Sequence, residues 1–288
     1  MDGESRRGLA LVAPPALYAV LLLAVPLAAV VLLSFWSRDA QNALLIDRTF
    51  TLENYREAVS DPYYYVILLR SVAIAGIVTL ATVLLAFPIA YYVSFAVAPG
   101  RKSLWLFLIT IPFWTSYLIR VFLWKVILGF NGVLNTTLLS LGIIEEPLSW
   151  VLYNPTAVVI TLAHAFAPFA ILPIFVALEK IDRSLLEASR DLGESRATTF
   201  LRVTLPLAMP GVVAAVLIVF IPTIGDFVTP AQVGGPKGQM IANVIQAQFL
   251  GINNPPMGAT IAVVSMVSIA VIALVFVALN RRFLRVRQ

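Results

Sequence analysis

Asp226 is a carboxylate set in an apolar run, Pro222-Thr-Ile-Gly-Asp-Phe-Val-Thr-Pro230. An acid at membrane depth is costly, and its default reading is contact with a cation or an ion pair. Pro222 and Gly225 beside it predict an unwound helix whose backbone lines a cavity, with Thr223 on the same stretch. Earlier in the chain, residues Phe113, Tyr117, Arg120 and Trp124 fall at helical spacing and are expected to share one face, with Trp114 adjoining. Next to a carboxylate, Trp114 and Tyr117 suit an ammonium ligand through cation–π attraction, whereas an aromatic belt explains Trp124 equally well. Arg120 has three readings: a site residue, a salt-bridge partner for Asp226, or an interfacial anchor. In a single helix it would lie about 24 Å beyond Leu104, near the outer boundary, where an arginine can snorkel. Lys125 reads as an interfacial anchor. His164, with no second ligand in prospect, reads as a packing or hydrogen-bonded residue.

The second chemistry-bearing stretch is Glu179–Pro206, EKIDRSLLEASRDLGESRATTFLRVTLP, which is charged and amphipathic in an otherwise apolar chain. Ser184 followed by Glu187 has capping-box spacing and predicts a helix from about Leu185. Leu185, Ala188, Ser189 and Leu192 then form one small and apolar face, with charges opposite. Gly193 is placed to end that helix in a left-handed conformation. A second short helix is expected from Ser195 to about Val203, with Leu205-Pro206 opening the next apolar run. Two short helices hinged at a glycine make a knob for a soluble partner to grip.

The elements that position these residues must be membrane spans. Of 288 residues, 60% are hydrophobic and 12% charged, with mean hydropathy +0.92, against about 25% charge in soluble domains. Six runs reach the roughly 20 residues a span requires: about 9–35, 66–97, 104–128, 156–178, 207–229 and 257–279. Prolines 14, 15, 26, 88, 112, 168, 173, 210 and 222 fall in or at the ends of these runs, which predicts broken or kinked helices. The first run is too long for a signal peptide and reads as a retained span. Arg6, Arg7, Arg101, Lys102, Lys180, Arg183, Arg190, Arg196, Arg202, Arg281, Arg282, Arg285 and Arg287 fall on one side. Only Arg38, Arg48, Arg56 and Lys237 fall on the other. This bias places both termini and the 179–206 loop in the cytoplasm. Three divisions follow: residues 1–65, a first span plus outer loop; 66–280, a five-helix core; and 281–288, a basic tail. The charge reports orientation and not nucleic-acid binding. The sequence has no cysteine, and so no disulfide or thiolate metal site, and a single histidine. A membrane-embedded enzyme therefore lacks its constellation. An ion-gradient-driven secondary transporter would be expected to show more buried carboxylates and internal repeats. The phosphate-cradling G-x-x-x-x-G-K-[ST] loop of an ATPase is also missing.

Glu187-Ala188-Ser189-Arg190-Asp191-Leu192-Gly193 with Leu205-Pro206 resembles the EAA loop of binding-protein-dependent ABC importer permeases. The family pattern is Glu-Ala-Ala, three residues, Gly, and a distal Leu-Pro; here Ser189 replaces the second alanine, small for small. Further stretches are similar to the spermidine/putrescine branch, namely IPFWTSYLIR (111–120), NGVLN (131–135), YNPTA (153–157), GDFVTP (225–230) and GGP (234–236). The likeness covers about Leu9 to Leu279. It implies an all-α integral membrane fold of six transmembrane helices, the type I ABC importer permease architecture, with a cytoplasmic coupling loop at 179–206. It also implies a non-catalytic permease subunit in a bacterial inner membrane, forming half of a polyamine pathway through Asp226, Trp114, Tyr117, Phe113, Arg120 and Thr223. Glu187, Ala188, Ser189, Arg190, Asp191 and Gly193 would serve ATPase coupling, Glu187 anchoring the contact and Gly193 shaping it. The implied partners are two ABC ATPase subunits, which would hold ATP and magnesium, a second permease in a heterodimer, and a soluble substrate-binding protein. Related permeases for opines, other amino compounds and small organic ions share this frame, so the resemblance leaves those substrates open.

Overall fold

The computed structural model describes residues 3–39, 41–42 and 45–284, and only the backbone for residues 3–10. Arg285 and Arg287 lie outside the described residues, as do the side chains of Arg6 and Arg7. In chain order the elements are α1 (Gly3–Leu33), β1 (Ser37–Arg38), β2 (Ile46–Asp47), α2 (Glu53–Ser60), α3 (Pro62–Phe95) and α4 (Pro99–Thr110). There follow α5 (Tyr117–Leu128), α6 (Val133–Ser140), α7 (Pro155–Glu179), α8 (Arg183–Asp191), α9 (Arg196–Thr199), α10 (Leu205–Ile224), α11 (Gly235–Gly238), α12 (Ile241–Leu250) and α13 (Pro255–Leu284).

Six helical stretches among the described residues are long and apolar enough to cross a membrane: Leu11–Leu33, Pro62–Phe95, Tyr117–Ser140, Pro155–Glu179, Arg196–Ile224 and Pro255–Leu284. The number matches the sequence reading, but the third stretch differs. The run 104–128 is two helices and not one. α4 tightens into a 3₁₀ turn at Ile111–Trp114, and Thr115 and Ser116 are extended before α5 begins. Pro112 supplies the cause, since it has no N–H to donate and its ring crowds the carbonyl four residues back. The other prolines do not break their helices. Pro88 lies within α3, Pro168 and Pro173 within α7, and Pro210 and Pro222 within α10. The second short helix of the 179–206 segment is also no separate element. α9 runs through a π-helical turn, Phe200–Thr204, straight into α10. That wider turn carries Arg202, whose carbonyl the Pro206 ring would otherwise strike.

The chain divides into two compact units. In the first, 1–65 with 244–267, β1 and β2 pair antiparallel with Ser37 opposite Asp47. Tyr55 of α2 bonds Ser34 at 2.6 Å, and the Asn54 amide donates to the Trp36 carbonyl at 2.8 Å. These bonds hold the amphipathic helix α2 against the end of α1.

The second unit, 66–243 with 268–288, holds the principal core. Ile174, Leu178 and Val219 are fully buried there, with Leu162, Val78 and Val93. Small residues at the crossing let α7 and α10 approach closely, the usual device between helices in lipid. Gly211 decides the approach, because a Cβ there would lie 2.5 Å from the Pro173 carbonyl oxygen and 2.5 Å from the Ala177 Cβ. Gly211→Ala is therefore expected to cost about 1–3 kcal/mol through overpacking. The check is the thermal unfolding midpoint of the purified protein in detergent; an unchanged midpoint would mean the two helices separate freely at this point.

Candidate functional site

Where α10 ends at Ile224, Gly225 to Phe227 leave the helix and a new helical turn starts at Val228. Asp226 organises this break. Its Oδ1 accepts from the backbone N–H groups of Val228 (2.9 Å) and Thr229 (3.4 Å), so it caps the new turn. The Phe227 carbonyl accepts from the Asn243 amide at 2.7 Å as well as from the Ala231 N–H of the new turn at 3.3 Å. The Tyr117 hydroxyl donates to Asp226 Oδ2 at 2.6 Å and, its proton thus committed, accepts from Thr229 Oγ1 at 2.6 Å. A carboxylate offers about four acceptor directions. Three are used here, leaving one for a ligand.

Arg120 lies one turn along α5 from Tyr117, with its guanidinium carbon 5.8 Å from the Tyr117 ring centroid. It is only 8% exposed, and its Nε and Nη1 are buried without hydrogen-bond partners. The snorkelling reading fails because the guanidinium is buried within the protein, where a snorkelling head group would be exposed. The salt-bridge reading fails as well, since no ion pair joins Arg120 to Asp226 among the described residues. Acid and base face one cavity without neutralising each other. That cavity, of about 350 Å³, is lined by Phe113, Tyr117, Arg120, Ala165, Phe166, Phe169, Pro222 and Asp226. Its aromatic wall is built edge to face, with Phe113 against Phe169 at 5.1 Å.

Four of the six pathway candidates thus meet in one place. Trp114 does not join them: it is 76% exposed, with its ring against Phe107, because the 3₁₀ turn rotates successive side chains differently from an α-helix. Thr223 is fully buried, and its hydroxyl donates to the Val219 carbonyl at 2.7 Å instead of facing the cavity. Trp124 donates to His164 Nδ1 at 3.2 Å, which satisfies the histidine as expected. Lys125 donates to Gln232 at 3.3 Å. Sequence reasoning missed Phe166, Phe169 and Thr229, which carry no periodic signal in uniformly apolar stretches. It also missed Arg70, whose Nε is buried without a partner in α3 and which was detectable as a charge inside an apolar run.

In the 179–206 segment, the start of α8 departs from the capping-box expectation. Asp182, not Ser184, is the N-cap, and its carboxylate accepts from the Ser184 N–H at 2.9 Å. The helix therefore begins at Arg183. That backbone bond from Ser184 holds the Asp182 carboxyl below its ordinary pKa. The cap is present at neutral pH and is lost only as pH falls through the depressed value. Ile181 and Leu186, at the positions of a hydrophobic staple, are both buried in the core. The end of α8 follows expectation: Gly193 has φ +81°. Its N–H donates to the Arg190 carbonyl at 2.8 Å, and that of Glu194 to the Ser189 carbonyl at 3.2 Å. This is the paired pattern of a Schellman ending. The Ser189 and Thr199 hydroxyls bond at 2.9 Å and pin α8 to α9. Leu185, Ala188 and Leu192 are exposed, as are Glu187, Arg190 and Asp191. The apolar stripe of α8 points out of the chain.

The sequence matches the family described as "Binding-protein-dependent transport system inner membrane component" over residues 16–285. It is 39% identical over 260 residues to the spermidine/putrescine transport system permease protein PotB of Escherichia coli (strain K12), covering 90% of this chain and 92% of that protein. The protein of the same name from Salmonella typhimurium (strain SL1344) is 38% identical, with 90% and 88% covered. The fold is similar to a chain in the crystal structure of a bacterial ABC transporter involved in the import of the acidic polysaccharide alginate. The TM-score is 0.72 at 16% identity, over 97% of this chain and 95% of that one.

Tyr117→Phe removes the hydroxyl that joins Asp226 to Thr229. It is expected to lower stability by about 1–3 kcal/mol, read as a drop in the unfolding midpoint in detergent. A midpoint equal to wild type would mean that the Asp226 cap holds the α10 break without Tyr117.

Proposed function

The chain belongs to the family of binding-protein-dependent transport system inner membrane components, and on that premise we propose that it is a permease subunit of an ATP-driven ABC importer for polyamines. It is a multi-pass inner membrane protein. Both termini and the 179–206 segment lie in the cytoplasm on this reading, as the Lys/Arg bias favours.

The observation that carries the substrate proposal is the single free acceptor direction of Asp226 in a cavity walled by Phe113, Tyr117, Phe166 and Phe169. An ammonium group gains from both the carboxylate and the ring faces. Arg120 keeps this from becoming a trap. Its uncompensated charge in the same cavity opposes a bound dication, so the ligand is held weakly enough to leave, as a conduit requires. Arg120 also supports a second reading. Buried N–H groups without partners beside a carboxylate suit an amino compound carrying its own carboxylate, such as an amino acid or opine.

The exposed stripe of Leu185, Ala188 and Leu192 would seat in an ATPase subunit, with Glu187, Arg190 and Asp191 around it and the Gly193 ending fixing the angle to α9. Two such ATPase subunits would hold ATP and magnesium; this chain would supply the docking helix and hydrolyse nothing. A second, different permease would complete the pathway, and a soluble binding protein would deliver the substrate.

The deciding measurement is ATPase stimulation of the reconstituted complex by its binding protein loaded with putrescine, spermidine, an amino acid or nothing. Stimulation by polyamines alone supports the first reading, and stimulation by the amino acid replaces it with the second. Asp226→Asn is expected to reduce putrescine uptake about 10- to 100-fold, with ATPase subunits still co-purifying. Uptake at the wild-type rate would remove Asp226 from the pathway. Gly193→Val forces a β-branched residue into φ +81°, and should retain the inserted chain while lowering transport per ATP hydrolysed.

A further inference from the structure

The carbonyl of Ser94, at the end of α3, accepts from two charged side chains. It lies in the last turn of a 34-residue helix, where carbonyls have no partner in the helix itself. The Tyr92 carbonyl is taken by the N–H groups of Ala96 and Val97. Two cations, one local and one distant in sequence, take the Ser94 carbonyl: Lys102 Nζ at 2.9 Å and Arg183 Nη2 at 2.7 Å. Ser94 is 1% exposed, so its carbonyl is the buried floor of a junction whose outer members, Glu179 and Arg183, remain exposed. Lys102 is simultaneously paired with Glu179, Nζ lying 2.6 and 2.8 Å from the two carboxylate oxygens. The Arg183 guanidinium lies 4.8 Å from the Phe95 ring centroid. Positive charge at a helix C-terminus is favoured by the helix dipole, which adds to both contacts.

The elements that meet here are unlike one another. Lys102 is on α4, Glu179 is the last residue of α7, and Arg183 is the first residue of α8. α4 leads through the 3₁₀ turn to Phe113, and α7 carries Ala165, Phe166 and Phe169; these residues form the aromatic wall of the cavity. Along either helix the cavity lies roughly 15–20 Å from the junction. From the geometry we infer that Lys102, Glu179, Arg183 and the Ser94 carbonyl form a clasp that carries displacement of α8 into the cavity walls, with Arg183 as the positioning residue. The inference rests on the reading of α8 as the ATPase-docking helix and adds the route by which its motion reaches the substrate. A hydrogen bond of 2.7 Å is lost if its ends separate by roughly 1 Å. Hence α8 must either take α3, α4 and α7 with it or detach from them.

The test uses the assembled complex. Ala96 and Ser184, exposed on either side of the clasp, are each replaced by cysteine in this cysteine-free chain and spin-labelled. Their separation is then measured with and without ATP and vanadate. With Arg183 present the separation should stay constant as the complex closes; with Arg183→Leu it should change. Transport per ATP should fall about tenfold or more in Arg183→Leu. It should recover in Arg183→Lys, which still donates a charged N–H. ATPase co-purification should be unaffected in both. The clasp is overturned if Arg183→Leu keeps the wild-type ratio, if the label separation is the same with and without Arg183, or if Arg183→Leu loses the ATPase subunits and so merely docks them. Failure of wild type to retain ATPase subunits would instead refute the docking reading of α8.

Discussion

A backbone N–H or C=O group in hydrocarbon has no water to turn to, so each interruption of a helix must be satisfied from within the protein. The described structure concentrates its chemistry at such interruptions. The Pro112 break ends α4 and turns Phe113 and Tyr117 toward one cavity. The Gly225 break ends α10 and is repaired by the Asp226 carboxylate and the Asn243 amide. Where no interruption occurs, hydroxyls on the spans bond back to carbonyls of their own helix, as Thr79 and Thr82 do. They add nothing to a site.

Asp226 carries two duties that pull in different directions. Three donors hold its oxygens and fix the turn after α10, which makes it a structural residue. Asp226 also lines the aromatic cavity, where on the proposed function its remaining acceptor direction would meet the substrate. A carboxylate held this firmly does not swing to follow a departing cation, and Arg120 across the same cavity adds repulsion. On the proposed function, both features weaken the bound state. The low residence that results is what separates a conduit from a binding protein, whose task is to hold.

Much of this was legible in the residues. Composition and run length were sufficient for the six spans, because transfer free energy acts on each residue additively. Gly193 was readable as a left-handed helix end because only backbone geometry is at stake there. The misses have a common origin in local alternatives of nearly equal energy. Asp182 and Ser184 both offer a side-chain oxygen for the start of α8. The carboxylate prevailed where Ile181 and Leu186 could both be buried around it. Trp114 is a site candidate as an aromatic adjoining the 113/117/120/124 face, and the 3₁₀ turn at Pro112 leaves it exposed against Phe107. Thr223 was placed by its nearness to Asp226, yet its hydroxyl found the Val219 carbonyl first. Phe166 and Phe169 could not be singled out, since a helix apolar on every side carries no signal of which face meets a cavity.

The same reasoning bears on why the charges of the 179–206 end are arranged as they are. Surface ion pairs contribute little, and the exposed Arg202–Glu194 pair at 3.1 Å belongs to that class. Lys102 and Glu179 differ, with side chains 14% and 33% exposed and the Lys102 ammonium also donating to the Ser94 carbonyl that Arg183 shares. Removing one member of such a set leaves a partly buried charge without its partner, so the group tends to hold or release as a whole. A junction that behaves in this two-state way transmits a displacement with little loss, where a row of independent surface pairs would absorb it. The segment thus combines a loose exterior, free to meet another surface, with a tight interior tied to three helices. On the proposed function, a displacement of the exposed stripe would reach α3 through Arg183 and the Ser94 carbonyl.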